Sequence, residues 1–188
     1  MYHRAYFLCC ATYHLTVALY YAMQVDWGNT EMILVWQNNT NAVVDKELLE
    51  SNFDKVIYVK GRDLVNYSFL EQQRYKIVNA GWLFPLSEIG KMFRDNPNDN
   101  AVFLFNDTTR LTDKIVYEFG KKGKNRIILV EEGTGTYHYN ILKQDLKTRF
   151  GNILCGQKVE PYIGANPYID TVFARNINEL PDYQTSFQ

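Results

Sequence analysis

The sequence predicts an α/β fold in which helices flank a mostly parallel, doubly wound, Rossmann-like sheet. Short runs rich in apolar and β-branched residues alternate along the chain with segments of helical spacing, as they do in β-α units. The short runs are nearly continuous in apolar residues, which is typical of strands buried on both faces. With 188 residues, 46% of them hydrophobic, the chain is large enough to bury the core that such a sheet requires.

The predicted strands are the apolar runs that end at a turn or a polar cluster. They span residues 6–11, 31–36, 55–59, 101–105 and 126–130. Residues 168–174 form either a last strand or the beginning of a segment that crosses to another domain. We therefore assign residues 1–160 to one Rossmann-like domain and residues 161–188 to an interdomain crossing segment or tail.

The predicted helices lie between the strands. They cover residues 13–25, 43–49, two stretches of 66–94, 113–122 and 141–150. The first carries an apolar stripe at helical spacing. The two stretches of 66–94 divide near Gly81 and Pro85, and the second has Pro85 near its first turn and Ser87 as its expected N-cap.

Composition excludes several classes of function. The formal net charge is -1, so the chain has no basic field of the kind that attracts nucleic acid. Its three cysteines have neither metal-ligand nor redox spacing, which favours a reducing compartment and no metal site. No apolar run approaches the roughly 18 residues of a membrane-spanning helix. We expect a cytoplasmic protein, and peripheral attachment to a membrane surface stays open.

Polar residues cluster where the predicted strands end, and a doubly wound sheet binds its ligands outside the carboxyl ends of its strands. Thr12 and His14 follow the first strand, and Asn106 and Asp107 follow the fourth. Their side chains suit hydrogen bonding to substrate hydroxyls. Each pair also has a structural interpretation. His14 can be a buried structural histidine, and Asn106 or Asp107 can be the N-cap of the next helix, a role that neighbouring threonines fill equally well.

Two acids, Glu131 and Glu132, directly follow the fifth predicted strand. Adjacent positions on a strand point in opposite directions, so one of the two faces the crevice. An acid partly removed from water there suits proton abstraction as a general base. Gly133 and Gly135, with Thr134 between them, let the backbone turn sharply and approach a substrate closely. The alternative is a pair of solvated acids at a strand end before a glycine turn.

Residues 128–137, with the sequence Ile-Leu-Val-Glu-Glu-Gly-Thr-Gly-Thr-Tyr, resemble the acidic-acidic-glycine motif of bacterial sialyltransferases. These families include the lipooligosaccharide sialyltransferases and the capsular polysialyltransferases. The hydrophobic first strand that leads through residues 11–15 into a helix is similar to the beginning of those enzymes as well. The resemblance implies that the chain is the N-terminal, acceptor-side half of a GT-B fold.

By position, the resemblance assigns the general base that deprotonates the acceptor hydroxyl to Glu131, with Glu132 as the alternate. Independently of the resemblance, Tyr137 lies near the predicted crevice and is a candidate for stacking on a sugar face. The resemblance implies CMP-sialic acid as donor and a capsular or lipooligosaccharide glycan as acceptor, and attachment to the inner membrane surface stays open. No cofactor and no metal are implied.

The sequence departs from those families at their second motif, a His-Pro pair that contacts the donor phosphate. The chain has five prolines, and none of them follows a histidine. We therefore expect that the donor half is absent from this sequence. On this expectation the chain alone neither binds CMP-sialic acid well nor turns it over.

Two other interpretations stay open. One is a different GT-B enzyme, a transferase or epimerase that uses a UDP-sugar. The other is a non-catalytic module that binds a glycan or a partner subunit. An apolar face left for the donor domain would favour a homodimer. A His-Pro motif further along the gene would favour the sialyltransferase.

Overall fold

The computed structural model describes residues 2–38, 43–60, 74, 77–78, 81–107, 109–121, 123–131, 163–176, 178 and 180. Within these ranges the chain forms one six-stranded sheet in the order β3-β2-β1-β4-β5-β6, with all five neighbouring pairs parallel. The strands are β1 Arg4–Cys9, β2 Glu31–Asn38, β3 Lys55–Lys60, β4 Asn100–Leu104, β5 Arg126–Val130 and β6 Thr171–Phe173. The predicted Rossmann-like α/β class is confirmed.

Helices cover both faces of this sheet. They are α1 Thr12–Gln24, α2 Lys46–Asn52, a short 3-10 helix Phe84–Leu86, α3 Glu88–Asp95, α4 Arg110–Val116 and a π-helical continuation Tyr117–Lys121. Helices α1 and α2 pack on one face, whereas the 3-10 helix, α3, α4 and the π-helical turn pack on the other. The strand order reverses between β1 and β4, so the helices that follow these two strands lie on opposite faces.

Alternation along the central strands builds a core on each face of the sheet. On the α1 face, Phe7 of β1 stacks on Phe103 of β4 with ring centroids 4.9 Å apart. On the opposite face, the neighbouring Tyr6 meets the edge of Phe119 at 5.0 Å. Both strands are therefore buried on both sides, which explains why their sequences are continuously apolar.

The predicted start of the helix near Ser87 is confirmed as the beginning of α3. The Ser87 hydroxyl accepts a hydrogen bond from the Gly90 N–H at 3.0 Å and donates to the Phe84 carbonyl at 2.6 Å. Pro85 lies inside the 3-10 helix just before it. A Cβ atom on Gly90 would lie 2.0 Å from the Phe84 carbonyl oxygen, so the close packing of the two helical segments requires glycine there.

Several predicted boundaries shift because side chains set them. The first strand begins at Arg4 rather than residue 6, because the Arg4 guanidinium binds Glu31 Oε2 at 2.6 Å and the Met92 carbonyl at 2.9 Å. It ends at Cys9, where the chain turns into α1. The helix predicted at 43–49 begins at Lys46, because the Asp45 carboxylate caps it.

The segment before and through β6 joins the sheet. Of the two alternatives for residues 168–174, the structure shows a strand, Thr171–Phe173, in register with β5. The helix predicted at residues 141–150 lies outside the described residues. The domain boundary near residue 160 stays a prediction.

Candidate active site at the carboxyl ends of β1, β4 and β5

The carboxyl ends of β1 and β4 lie side by side where the sheet reverses its strand order. Helix α1 leaves β1 on one face and α4 follows β4 on the other, which opens a crevice of the kind in which α/β sheets bind ligands. Strand β5 pairs with β4 and adds Glu131 at the same edge. The sheet thus brings the predicted groups after β1, β4 and β5 to one edge.

Little space exists between the strand ends themselves. A cavity of about 10 Å³ lies between the ends of β1 and β2 and the beginning of α4. Its walls are formed by Leu8, Cys9, Cys10, Val35, Gln37, Leu111 and Thr112. A space of that size holds about one water molecule, so a sugar bound at this edge would lie above the strand ends.

His14 is buried in the first turn of α1, with 1% of its surface exposed. Its Nδ1 accepts the Cys10 backbone N–H at 3.2 Å and lies 3.4 Å from the Cys10 Sγ. The ring stacks on Phe105, with centroids 4.5 Å apart and planes 7° from parallel. Burial lowers the pKa of His14 to about 4, so the ring is neutral at physiological pH, with its proton on Nε2.

His14 therefore joins the end of β1 to the residue that follows β4, which bears out its structural interpretation. A contact between His14 and substrate stays a prediction. Thr12, in contrast, is exposed as the first residue of α1. The N-cap residue Ala11 has no side-chain acceptor for the opening turn, so Thr12 offers a hydroxyl beside uncapped helix amides.

Asp107 is almost fully buried, with 4% of its surface exposed. Its two carboxylate oxygens accept the backbone N–H of Gly164 at 3.0 and 3.1 Å. Gly164 has a φ of 78°, a conformation that glycine adopts without strain. The acid after β4 therefore anchors the segment that leads to β6, a role that sequence did not predict.

The N-cap of α4 is a threonine rather than Asn106 or Asp107. The Thr109 hydroxyl accepts the Thr112 N–H at 3.2 Å. Asn106 is half-buried between β4 and this cap. Substrate binding by Asn106 and Asp107 stays a prediction, and the capping alternative is wrong for both residues.

Glu131 is half-buried immediately after β5. Its Oε2 accepts the backbone N–H of Arg175 at 2.6 Å, and its own backbone N–H donates to the Phe173 carbonyl at 2.9 Å. Glu131 is thus not a loosely solvated strand-end acid. Glu132, Gly133, Thr134, Gly135 and Tyr137 lie outside the described residues.

Sequence reasoning missed a buried polar cluster beside Asp107. Lys114 and Glu118 form an ion pair of 2.8 Å with side chains that are 11% and 6% exposed. Asp113 Oδ1 accepts the Asn166 Nδ2–H at 3.3 Å. A Lys-Glu pair four residues apart is typical of a solvated helix surface, so nothing in the sequence signals its burial.

The described residues contain neither a metal-binding cluster nor a membrane-spanning helix. Those residues contain no group of three or more His, Cys, Asp or Glu that could hold a metal ion. None of the helices described is long and apolar enough to cross a membrane.

The sequence of the chain matches a known protein family over almost its whole length. Residues 6–184 match the family described as Alpha-2,8-polysialyltransferase (POLYST). The chain belongs to the alpha-2,8-polysialyltransferase family. No curated protein and no solved structure gives a significant match.

The polysialyltransferase match begins in β1 and extends beyond β6, so it includes most of β1, all of the other five strands described and the Glu131-Glu132-Gly133 sequence. It supports a sialyltransferase-like glycosyltransferase. The predicted resemblance to sialyltransferases is confirmed at this level.

Proposed function

We propose that this polysialyltransferase-family chain is the acceptor-binding domain of a CMP-sialic acid-dependent sialyltransferase with a GT-B fold. Its acceptor would be a cell-surface glycan, and the family description favours the end of an α2,8-linked sialic acid chain. The reaction would take place in the cytoplasm at the inner membrane surface. The observation that carries the proposal is a half-buried, oriented carboxylate, Glu131, at the ligand-binding edge of the sheet.

The proposed chemistry is an inverting displacement. The acceptor hydroxyl oxygen attacks the anomeric carbon of CMP-sialic acid, the bond to the phosphate oxygen breaks, and CMP leaves with the bonding electrons. Glu131 takes the proton of the attacking hydroxyl, because an alcohol becomes a strong nucleophile only as that proton is removed. Groups that hold the donor would come from outside the described residues.

Neighbouring side chains at the edge complete the proposed acceptor site. Thr12 is exposed and Asn106 is half-buried, and both can hydrogen-bond to sugar hydroxyls. Asp107 and His14 hold the segments around them in place through Gly164 and Phe105. Gly133, Thr134, Gly135 and Tyr137 closely follow Glu131 in the sequence and belong to the proposed acceptor-binding residues.

The test is transfer by the full-length gene product, with CMP-sialic acid as donor and a fluorescent α2,8-linked sialic acid oligomer as acceptor. We expect Glu131→Gln to lower kcat about 100-fold or more, the usual contribution of a general base. Glu47→Gln, a change at an exposed position on α2, serves as the matched control and should leave kcat unchanged.

Undiminished transfer by Glu131→Gln would remove Glu131 from the mechanism. A loss in Glu132→Gln alone would then assign the base to Glu132. Binding of the oligomer without transfer by any form of the protein would support a non-catalytic glycan-binding module instead.

A further inference from the structure

The pairing of β5 with β6 is enclosed between two carboxylate–amide hydrogen bonds. Before the paired residues, Asp170 Oδ2 accepts the Ile127 backbone N–H at 2.7 Å. After them, Glu131 Oε2 accepts the Arg175 backbone N–H at 2.6 Å. Asp170 directly precedes β6, and Glu131 directly follows β5. The two bonds therefore lie at opposite ends of the pairing with β6, which is only three residues long.

In the second of these bonds, the Arg175 backbone N–H donates to a carboxylate, whereas in a regular parallel sheet it would donate to a backbone carbonyl. Val130 lies opposite Phe173, and the Glu131 N–H donates to the Phe173 carbonyl. In a regular parallel ladder the next donor, the Arg175 N–H, points at the carbonyl of Glu131. Here the Glu131 carboxylate receives it, so the side chain is turned toward the edge of the sheet where β6 ends.

This bond fixes the orientation of the carboxylate. A main-chain amide is held by the strand before it, so it moves less than a side-chain donor would. At 2.6 Å, this N–H···O bond is shorter than the usual range of about 2.7–3.2 Å. With Oε2 held, rotation of the carboxylate is restricted, and the directions open to its second oxygen are restricted with it.

We propose that the Arg175 backbone N–H is a positioning group, which orients the Glu131 carboxylate to take the proton of the acceptor hydroxyl. This inference rests on the proposed role of Glu131 as base. Arg175 itself does not touch the reacting atoms, and its exposed side chain takes no part.

The structure supplies its own control in Asp170. Its bond to Ile127 spans the same pair of strands, but four residues before Glu131, or about 13 Å along the strand. Loss of either bond should loosen β6 to a similar extent. Only loss of the Arg175 bond should change the reaction.

The experiment compares three variants of the full-length protein in the transfer assay. Arg175→Pro removes the backbone donor, Arg175→Ala keeps it and removes the side chain, and Asp170→Ala removes the control bond. We expect Arg175→Pro to lower kcat at least about tenfold with little change in KM for the acceptor, because a misplaced catalytic group costs chiefly rate. Arg175→Ala and Asp170→Ala should keep kcat within about twofold.

Normal kcat in a folded Arg175→Pro variant would overturn the proposal, as would an equal loss of kcat in Asp170→Ala. A second measurement decides the matter if the proline variant does not fold. In the wild-type chain, the Arg175 amide should exchange slowly with solvent because it is bonded to the Glu131 carboxylate, and this exchange should accelerate in Glu131→Ala. Exchange at the Arg175 amide that is equally fast in the wild type and in Glu131→Ala would also overturn it.

The outcomes separate this inference from the proposed function. Full activity in Glu131→Gln would refute the base itself, whatever Arg175 does. An inactive Glu131→Gln variant together with a fully active, folded Arg175→Pro variant would refute the positioning role alone.

Discussion

At the scale of single residues, burial decides what His14 can do. Its ring is enclosed by Phe105 and the Cys10 backbone, and an imidazolium buried at this position would lose its hydration. The neutral form is therefore favoured, which is why the pKa falls to about 4. A neutral ring with Nδ1 as acceptor holds the turn from β1 into α1.

The first prediction concerns stability as a function of pH. The unfolded chain has a histidine of ordinary pKa near 6.5, whereas folded His14 titrates near 4. As pH falls from about 6.5 to about 4, the unfolded state takes up a proton that the folded state does not, so the protein loses stability. This group should account for a loss of about 2 kcal/mol between pH 7.5 and pH 5, measured by urea denaturation.

The matched variant is His14→Asn, which keeps an acceptor for the Cys10 N–H and cannot titrate. It should be less stable at pH 7.5, because the stacking on Phe105 is lost. Its stability should depend on pH less steeply than that of the wild type. An unchanged slope would show that His14 does not titrate as described.

At the scale of elements, the contact between the 3-10 helix and α3 decides which residue stands in α3, even against helix propensity. Helix α3 contains Gly90, although glycine is a poor helix former. The position is set by the 3-10 helix before it, because the Phe84 carbonyl occupies the space that a Cβ would need. Glycine therefore stands at position 90 despite its low helix propensity, because only glycine lets the two helical segments pack this closely.

The second prediction follows from that junction. Gly90→Ala should gain up to about 1 kcal/mol from helix propensity but lose more from a 2.0 Å contact with backbone. We expect a net loss of about 2 kcal/mol in the free energy of unfolding. Lys91→Ala, at an exposed position in the same helix, should change it by no more than about 0.5 kcal/mol. A more stable Gly90→Ala variant would contradict the packing argument.

The third prediction concerns the Lys114–Glu118 pair on α4 and its π-helical continuation. Both side chains are nearly buried, so removal of one partner leaves the other charge without its partner in a site of low polarity. Glu118→Leu should lower stability by about 3 kcal/mol. The double variant Lys114→Met/Glu118→Leu should recover at least half of that loss, because no unpaired charge remains. A double-mutant cycle by urea denaturation measures this, and strictly additive losses would contradict it.

At the scale of the whole molecule, acids after β4, in α4 and after β5 bind residues 163–176, the segment that contains β6. Asp107 binds Gly164, Asp113 binds Asn166, and Glu131 binds the backbone after β6. These contacts join residues 44 to 57 positions apart in the sequence. The same edge of the sheet therefore carries both the proposed acceptor site and the anchors of the segment beside it.

The fourth prediction tests this anchoring. Asp107→Asn keeps one acceptor for the Gly164 N–H but removes the charge that strengthens the bond. We expect stability to fall by about 1–3 kcal/mol and hydrogen exchange at the Gly164 amide to accelerate. Asp95→Asn, an exposed change at the end of α3, is the control. Unchanged exchange at Gly164 would show that Asp107 does not hold the segment.

The sequence alone predicted much of the architecture because apolar runs report burial directly. Residues 126–130 were predicted as a strand and form β5 with the same bounds. Ser87 was predicted as an N-cap and caps α3, because capping depends on neighbours within three residues. The resemblance to sialyltransferases also predicted the family, because membership of a family is itself recorded in the sequence.

The contacts of the site residues could not be predicted from the sequence, because each of them depends on a partner far along the chain. Asp107 is buried and accepts the Gly164 N–H. His14 is neutral because its ring is buried against Phe105, the residue that follows β4. Glu131 has a defined orientation because β6 brings the Arg175 amide to it. Local spacing fixes which residues form strands, helices and caps. Which acidic and histidine side chains are removed from water, and which backbone groups they bind, is decided only when the strands and helices pack together.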